Sequence, residues 1–191
     1  GAQVWVECGV DDNGNTNQWG RRDKMGRRMR TCWKVNGRWA VETDENVDDD
    51  SGAAVAAGNE LKLLVEVDAG IHRSGVQGGE PALKLVMAIE RAPGLKFDGL
   101  RGYEGGCVFI PDYETRETAV AKALAPLLES VQLIERSGIP VTTVSSGGTG
   151  TYMITGAMPQ ITEVEAGSYV FMDGRYRGVL QDFENALFVL S

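Results

Sequence analysis

The chain has 191 residues, a formal net charge of −8 and 42% hydrophobic residues. That length supports one domain with a buried core, the acidic balance argues against a nucleic-acid binder, and no apolar run approaches the roughly 18 residues of a membrane span. Three cysteines, Cys8, Cys32 and Cys107, stand far apart without a Cys-x-x-Cys pair. This fits free thiols in a reducing, cytoplasmic compartment better than a disulfide framework. No basic stretch followed by an apolar run marks a signal peptide.

In chain order, residues 1–50 differ in kind from the rest of the chain. All four tryptophans, Trp5, Trp19, Trp33 and Trp39, lie there. Residues 21–40 carry eight Arg or Lys against the single acid Asp23, and residues 41–50 carry six acids. Residues 11–30 lack hydrophobic periodicity and read as loop or disorder, with short strands expected at 3–8 and 38–41. The basic, Trp-interleaved segment has the composition of a single-strand nucleic-acid grip, but the acidic run beside it favours a poorly ordered tail. Asp48-Asp49-Asp50 lacks the spacing and the glycine of an EF-hand loop.

From Leu61 the pattern becomes regular. Residues 61–67 form an apolar run of the kind a buried parallel strand shows. Residues 81–92 repeat apolar positions at helical spacing, with Pro81 suited to a first turn. A strand is expected at 95–100, and a long helix at 114–137 with Val120, Leu124, Leu127, Leu128, Val131 and Ile134 on its apolar face. A strand at 139–144 then enters a glycine loop, and a strand pair is expected at 161–164 and 168–172. Alternating strands and helices predict a parallel α/β architecture, whose chemistry gathers at the carboxyl ends of the strands. Three such ends carry glycine-punctuated polar loops, at 68–76, 102–106 and 145–151.

The last of these, Ser145-Ser146-Gly147-Gly148-Thr149-Gly150-Thr151, pairs small hydroxyls with glycines that let the backbone approach a ligand closely. Successive bare N–H groups make an anion-binding concavity, and its natural guest is a phosphate. It is not a Walker loop, because Gly-Lys-Ser/Thr is absent. It is not a Rossmann fingerprint either, because no helical pattern comes after it. Most glycine turns after strands bind nothing, so the reading depends on the neighbouring loops.

Taken together, Val65-Glu66-Val67-Asp68-Ala69-Gly70, His72-Arg73-Ser74-Gly75-Val76, Gly99-Leu100-Arg101-Gly102-Tyr103-Glu104-Gly105 and the 145–152 loop are a set of ordered blocks. With Glu163-Val164-Glu165-Ala166-Gly167-Ser168-Tyr169 and Asp182-Phe183-Glu184-Asn185-Ala186-Leu187, this set resembles the D-threonine aldolase and D-serine dehydratase group. These are fold-type III, alanine-racemase-like pyridoxal-phosphate enzymes. The resemblance covers residues 50–191 and is nearest the D-threonine aldolase branch. It implies a (β/α)8 TIM barrel with pyridoxal 5'-phosphate at its mouth, then a β-rich domain that holds a divalent metal through His and Cys or Asp. It further implies that Ser145, Ser146, Gly147, Gly148, Thr149 and Gly150 cradle the cofactor phosphate with Tyr169. Tyr103 would lie against the ring, and Arg73 would orient cofactor or substrate at the phenolic oxygen. The implied partner is a small D-amino acid, cleaved to glycine and an aldehyde or, in dehydratases, stripped of its β-hydroxyl. Neither nucleic acid nor membrane is implied, and a homodimer is the candidate assembly.

The sequence departs from that family in definite places. None of the six lysines, Lys24, Lys34, Lys62, Lys84, Lys96 and Lys122, stands in the family's Schiff-base setting, so that lysine is unknown. The single histidine is His72, so the metal ligands are absent. Gly106 stands where relatives usually have histidine. The expected architecture is therefore the later strands of a partial barrel at 51–178, preceded by an atypical segment at 1–50 and followed by the start of a truncated β segment at 179–191. A fragment of a longer enzyme is the simplest account, with a non-catalytic phosphate-binding remnant as the rival from another class. His72 reads as a surface histidine, Cys107 as an inert thiol, and Glu104 and Glu165 as solvated or capping acids.

Overall fold

The computed structural model describes residues 7–8, 33–35 and 38–184. Among them, seven strands form one sheet in chain order. Three pair antiparallel: β1 (Glu7–Cys8), β2 (Trp33–Val35) and β3 (Arg38–Val41). From β3 the sheet runs parallel through β4 (Leu61–Glu66), β5 (Leu95–Arg101), β6 (Thr143–Ser146) and β7 (Glu163–Val164). Helices α1 (Asp44–Ala57), α2 (Glu80–Arg91) and α3 (Tyr113–Arg136) cross between these strands, and the single turn α4 (Tyr152–Thr155) precedes β7. The expected parallel α/β sheet of a partial barrel is what forms. The loop expected at 11–30 lies outside the described residues.

Three local expectations change. The acids from Asp44 to Asp50 belong to α1, which crosses the division drawn at residue 50. Thr43 caps it by accepting the Asn46 N–H at 3.2 Å, and Asp44 and Glu45 sit at its positive end. Gly58, at φ 63°, closes it in the left-handed conformation that glycine adopts freely. The strand expected at 139–144 runs at Thr143–Ser146 instead, so Ser145 and Ser146 are strand residues, paired with Glu163 and Val164. Residues 168–172 make no strand. The Met172 N–H returns to the Ser168 carbonyl at 2.8 Å and Tyr169 donates its N–H to Thr149 Oγ1 at 3.1 Å, so a 3₁₀ turn at Ser168–Val170 wins over a ladder. The C-terminal β segment is not seen at 179–184, and residues 185–191 lie outside the described set.

Alternation along the strands sorts the side chains. Leu63, Val65, Leu100 and Val144 pack into one core with Val47 of α1, Leu85, Val86 and Ile89 of α2, and Val120, Leu124, Leu127 and Ile134 of α3. The other face carries polar side chains in two layers. In the lower layer Arg38 binds Asp98 at 3.1 Å and Thr143 at 2.9 Å, and also reaches Glu163. Asp98 enters that layer because β5 bulges: Leu63 pairs with Phe97 and Leu64 with Gly99, leaving Asp98 extra. Gly99 is required there, since a Cβ would stand 1.9 Å from the Thr143 carbonyl oxygen.

Candidate functional site

Register places Glu66, Arg101 and Ser145 side by side at the carboxyl ends of β4, β5 and β6. Arg101 is 4% exposed. Its Nε meets Glu165 at 2.8 Å, its Nη2 meets the same carboxylate at 2.6 Å, and its Nη1 lies 2.9 Å from Glu66. Ser74 donates to Glu66 at 2.7 Å and Ser145 to Glu165 at 2.8 Å. Burial works against the Arg101 charge, but Glu165 and Glu66 outweigh it and hold the guanidinium above its ordinary pKa. This row is the floor of the rim.

Above it, the loop after β4 curls on itself. The Asp68 N–H donates to the Val76 carbonyl and the Val76 N–H to the Glu66 carbonyl, both at 2.8 Å. The Asp68 carboxylate accepts from Gly70 N–H at 2.9 Å and His72 N–H at 3.0 Å, and pairs with His72 Nδ1 at 2.6 Å. Burial resists the carboxylate charge, but the His72 and Gly70 donors prevail and lower the Asp68 pKa. His72 is thus an exposed partner of the loop. The curl presents Arg73 on the rim, 5.7 Å from the Tyr103 ring centroid. Burial pushes the Tyr103 hydroxyl up to about 12, with Tyr176 and Glu104 adding to the effect and Arg73 opposing it. The Tyr103 hydroxyl in turn abuts the glycine loop, since a Cβ on Gly148 would meet it at 3.0 Å. Arg73, Tyr103 and Gly148, which leave three different strands, therefore converge.

Glu104 is neither solvated nor a helix cap. It is fully buried and accepts from Ser146 Oγ at 2.9 Å, Gly147 N–H at 3.1 Å, Thr151 Oγ1 at 2.6 Å and Thr155 Oγ1 at 2.7 Å. The Glu165 side chain is likewise covered, on Arg101, with 8% side-chain exposure. The hydroxyls of Ser145 and Ser146 are thus engaged by carboxylates beneath the loop. Gly148 N–H donates to Thr151 Oγ1 at 3.0 Å. The backbone N–H groups of Thr149 and Gly150 take no acceptor among the described residues. Thr149 and Tyr169 border a cavity of about 260 Å³, whose remaining wall is Tyr152, Val164, Ala166 and Phe183. Cys107 is buried, and burial raises its thiol pKa, as befits an inert thiol.

Sequence reasoning missed Arg101, Glu66 and the structural part played by Glu104 and Glu165. The available signal was charge closing an apolar strand: Glu66 ends β4 and Arg101 ends β5, where a charge survives only if paired. Among the lysines whose side chains are described, Lys62 lies near the amino end of β4, 3.7 Å from Asp98, and Lys84, Lys96 and Lys122 are exposed elsewhere. No group of three metal-binding side chains occurs among the described residues, so they do not fit a metal. No described helix is long and apolar enough to cross a membrane.

The family described as alanine racemase, N-terminal domain, matches residues 22–174. The chain belongs to that family. Every rim residue of this alanine racemase N-terminal domain, from Arg73 to Tyr169, lies within the match, as do β2, β3 and α1. The chain is 39% identical to a D-threonine aldolase of Arthrobacter sp, over 79% of this chain and 41% of that protein. It is 32% identical to a 3-hydroxy-D-aspartate aldolase of Paracoccus denitrificans (strain Pd 1222), over 100% of this chain and 52% of the relative. The crystal structure of D-threonine aldolase from Filomicrobium marinum superposes with a TM-score of 0.74 at 33% identity, over 77% of this chain and 40% of that one. The chain therefore spans about half the length of the curated relatives it matches.

Proposed function

We propose that this chain carries the cofactor-binding rim of a pyridoxal-phosphate-dependent D-amino-acid lyase, most like D-threonine aldolase. The observation that carries the reading is the convergence of Arg73, Tyr103 and a glycine loop whose Thr149 and Gly150 N–H groups take no acceptor among the described residues. Those two N–H groups and the Thr149 hydroxyl would hold the phosphate, with Tyr169 beside them. Ser145, Ser146, Gly147 and Gly148 would shape the cradle from below. Tyr103 would flank the ring, and Arg73 would steer the phenolic oxygen or a substrate carboxylate through its guanidinium fork. Bound pyridoxal phosphate supplies an electron sink for breaking a bond at the substrate's Cα. The buried Arg101, held by Glu66 and Glu165, ties the ends of the strands together beneath the rim.

A second reading, a phosphate-binding module without catalysis of its own, is favoured by the placement of Lys62, Lys84, Lys96 and Lys122, the four lysines with described side chains, away from the rim. Incubation with pyridoxal phosphate, borohydride trapping and product analysis separate the two. Glycine with acetaldehyde from D-threonine marks the aldolase, and pyruvate from D-serine marks a dehydratase. Saturable binding without product marks the binding module, and no saturable binding overturns both.

A further inference from the structure

We propose that Glu104 is the positioning residue of the glycine loop: it draws the donors of Ser146, Gly147 and Gly148 inward and leaves those of Thr149 and Gly150 facing a phosphate. The inference rests on the pyridoxal-phosphate reading above. Glu104 has no solvent exposure, and among the described residues no ion pair reaches it. Its two oxygens divide the loop's ends between them. Oε2 accepts from Ser146 and Gly147, which enter the bend, and Oε1 accepts from Thr151 and Thr155, which leave it. Gly148 joins in relay, because its N–H donates to the Thr151 hydroxyl that itself donates to Glu104.

A carboxylate accepts and never donates. The hydroxyl hydrogens of Ser146, Thr151 and Thr155 must therefore point at Glu104, and none remains for a ligand. Gly147, at φ 88°, makes the turn this requires. What these bonds leave unclaimed among the described residues is the Thr149 and Gly150 N–H pair, together with the hydrogen of the Thr149 hydroxyl. That hydroxyl already accepts from the Tyr169 N–H, so its hydrogen is left to donate. The phosphate preference of the loop is thus set by a side chain that never touches the phosphate.

Glu104→Gln keeps the volume but reverses half of this pattern. The amide oxygen must stay on the Gly147 N–H, so the amide NH2 faces Thr151 and Thr155 and obliges them to accept. Equilibrium dialysis of the whole chain against pyridoxal phosphate and against pyridoxal gives two Kd values, whose ratio is the phosphate preference. Glu104→Gln is expected to lower that ratio about tenfold, the effect of one misplaced hydrogen bond, with the affinity for pyridoxal held. A purely structural role would lower Tm and leave the ratio of the folded protein unchanged. Thr151→Val, which cuts the relay but keeps the buried shape, is expected to lower the ratio in the same direction and serves if Glu104→Gln does not fold. A wild-type preference retained in the folded variants overturns the role of Glu104 and leaves the cofactor reading standing. A wild-type chain with no preference for the phosphate overturns both.

Discussion

Arg101 shows how one side chain organises the rim. Two carboxylates, Glu66 and Glu165, close on one guanidinium, and Ser74 and Ser145 occupy further carboxylate lone pairs. Breaking a buried pair from one side leaves uncompensated charge, which costs about 3–5 kcal/mol. Arg101→Leu is therefore expected to lose about that much in denaturant unfolding, and Arg101→Lys, which keeps charge without the fork, to lose less. A loss under about 1 kcal/mol for the leucine variant would show that the row contributes no net stability. The motif blocks were legible residue by residue, and Arg73 and Tyr103 do meet. The side-chain directions of Ser145, Ser146 and Glu104 were not legible. A hydroxyl reads the same in sequence whether it points at a ligand or at a carboxylate from another strand.

At the scale of elements, α2, β4, β5 and α3 follow from apolar spacing within a residue or two, because each presents one face to a single core. Helix α1 escaped that test, because its buried face is only Val47, Asp50 and Ala54. Its signals are at its ends: the Thr43 cap, the acids Asp44 and Glu45 against the helix dipole, and the Gly58 stop. Read as charge, 42–50 is an acidic run; read as capping, it is a helix start. Thr43→Ala is expected to cost about 1 kcal/mol in thermal or denaturant unfolding. An unchanged midpoint would show that the helix does not depend on its cap.

For the whole molecule, the segment before residue 50 matters because the parallel sheet begins at β3. Its Val41 pairs with Val65 and lies in the core, and its Arg38 neutralises Asp98 and Glu163 inside the barrel face. A chain begun at Ser51 is expected to lose cooperative thermal unfolding by circular dichroism, because it bares the edge of β4 and takes the Arg38 guanidinium away from Asp98 and Glu163. A sharp transition retained in that shortened chain would place the folding unit after α1. Sequence by itself determined the parallel α/β order, helices α2 and α3 and the three loops of the rim. Periodicity and glycine placement are local, and the family's blocks keep their spacing along the chain. Only the tertiary structure decided which polar groups face a ligand. That depends on register across strands, which sets Glu66, Arg101 and Ser145 in one row, and on Glu104 reaching under a loop more than 40 residues away.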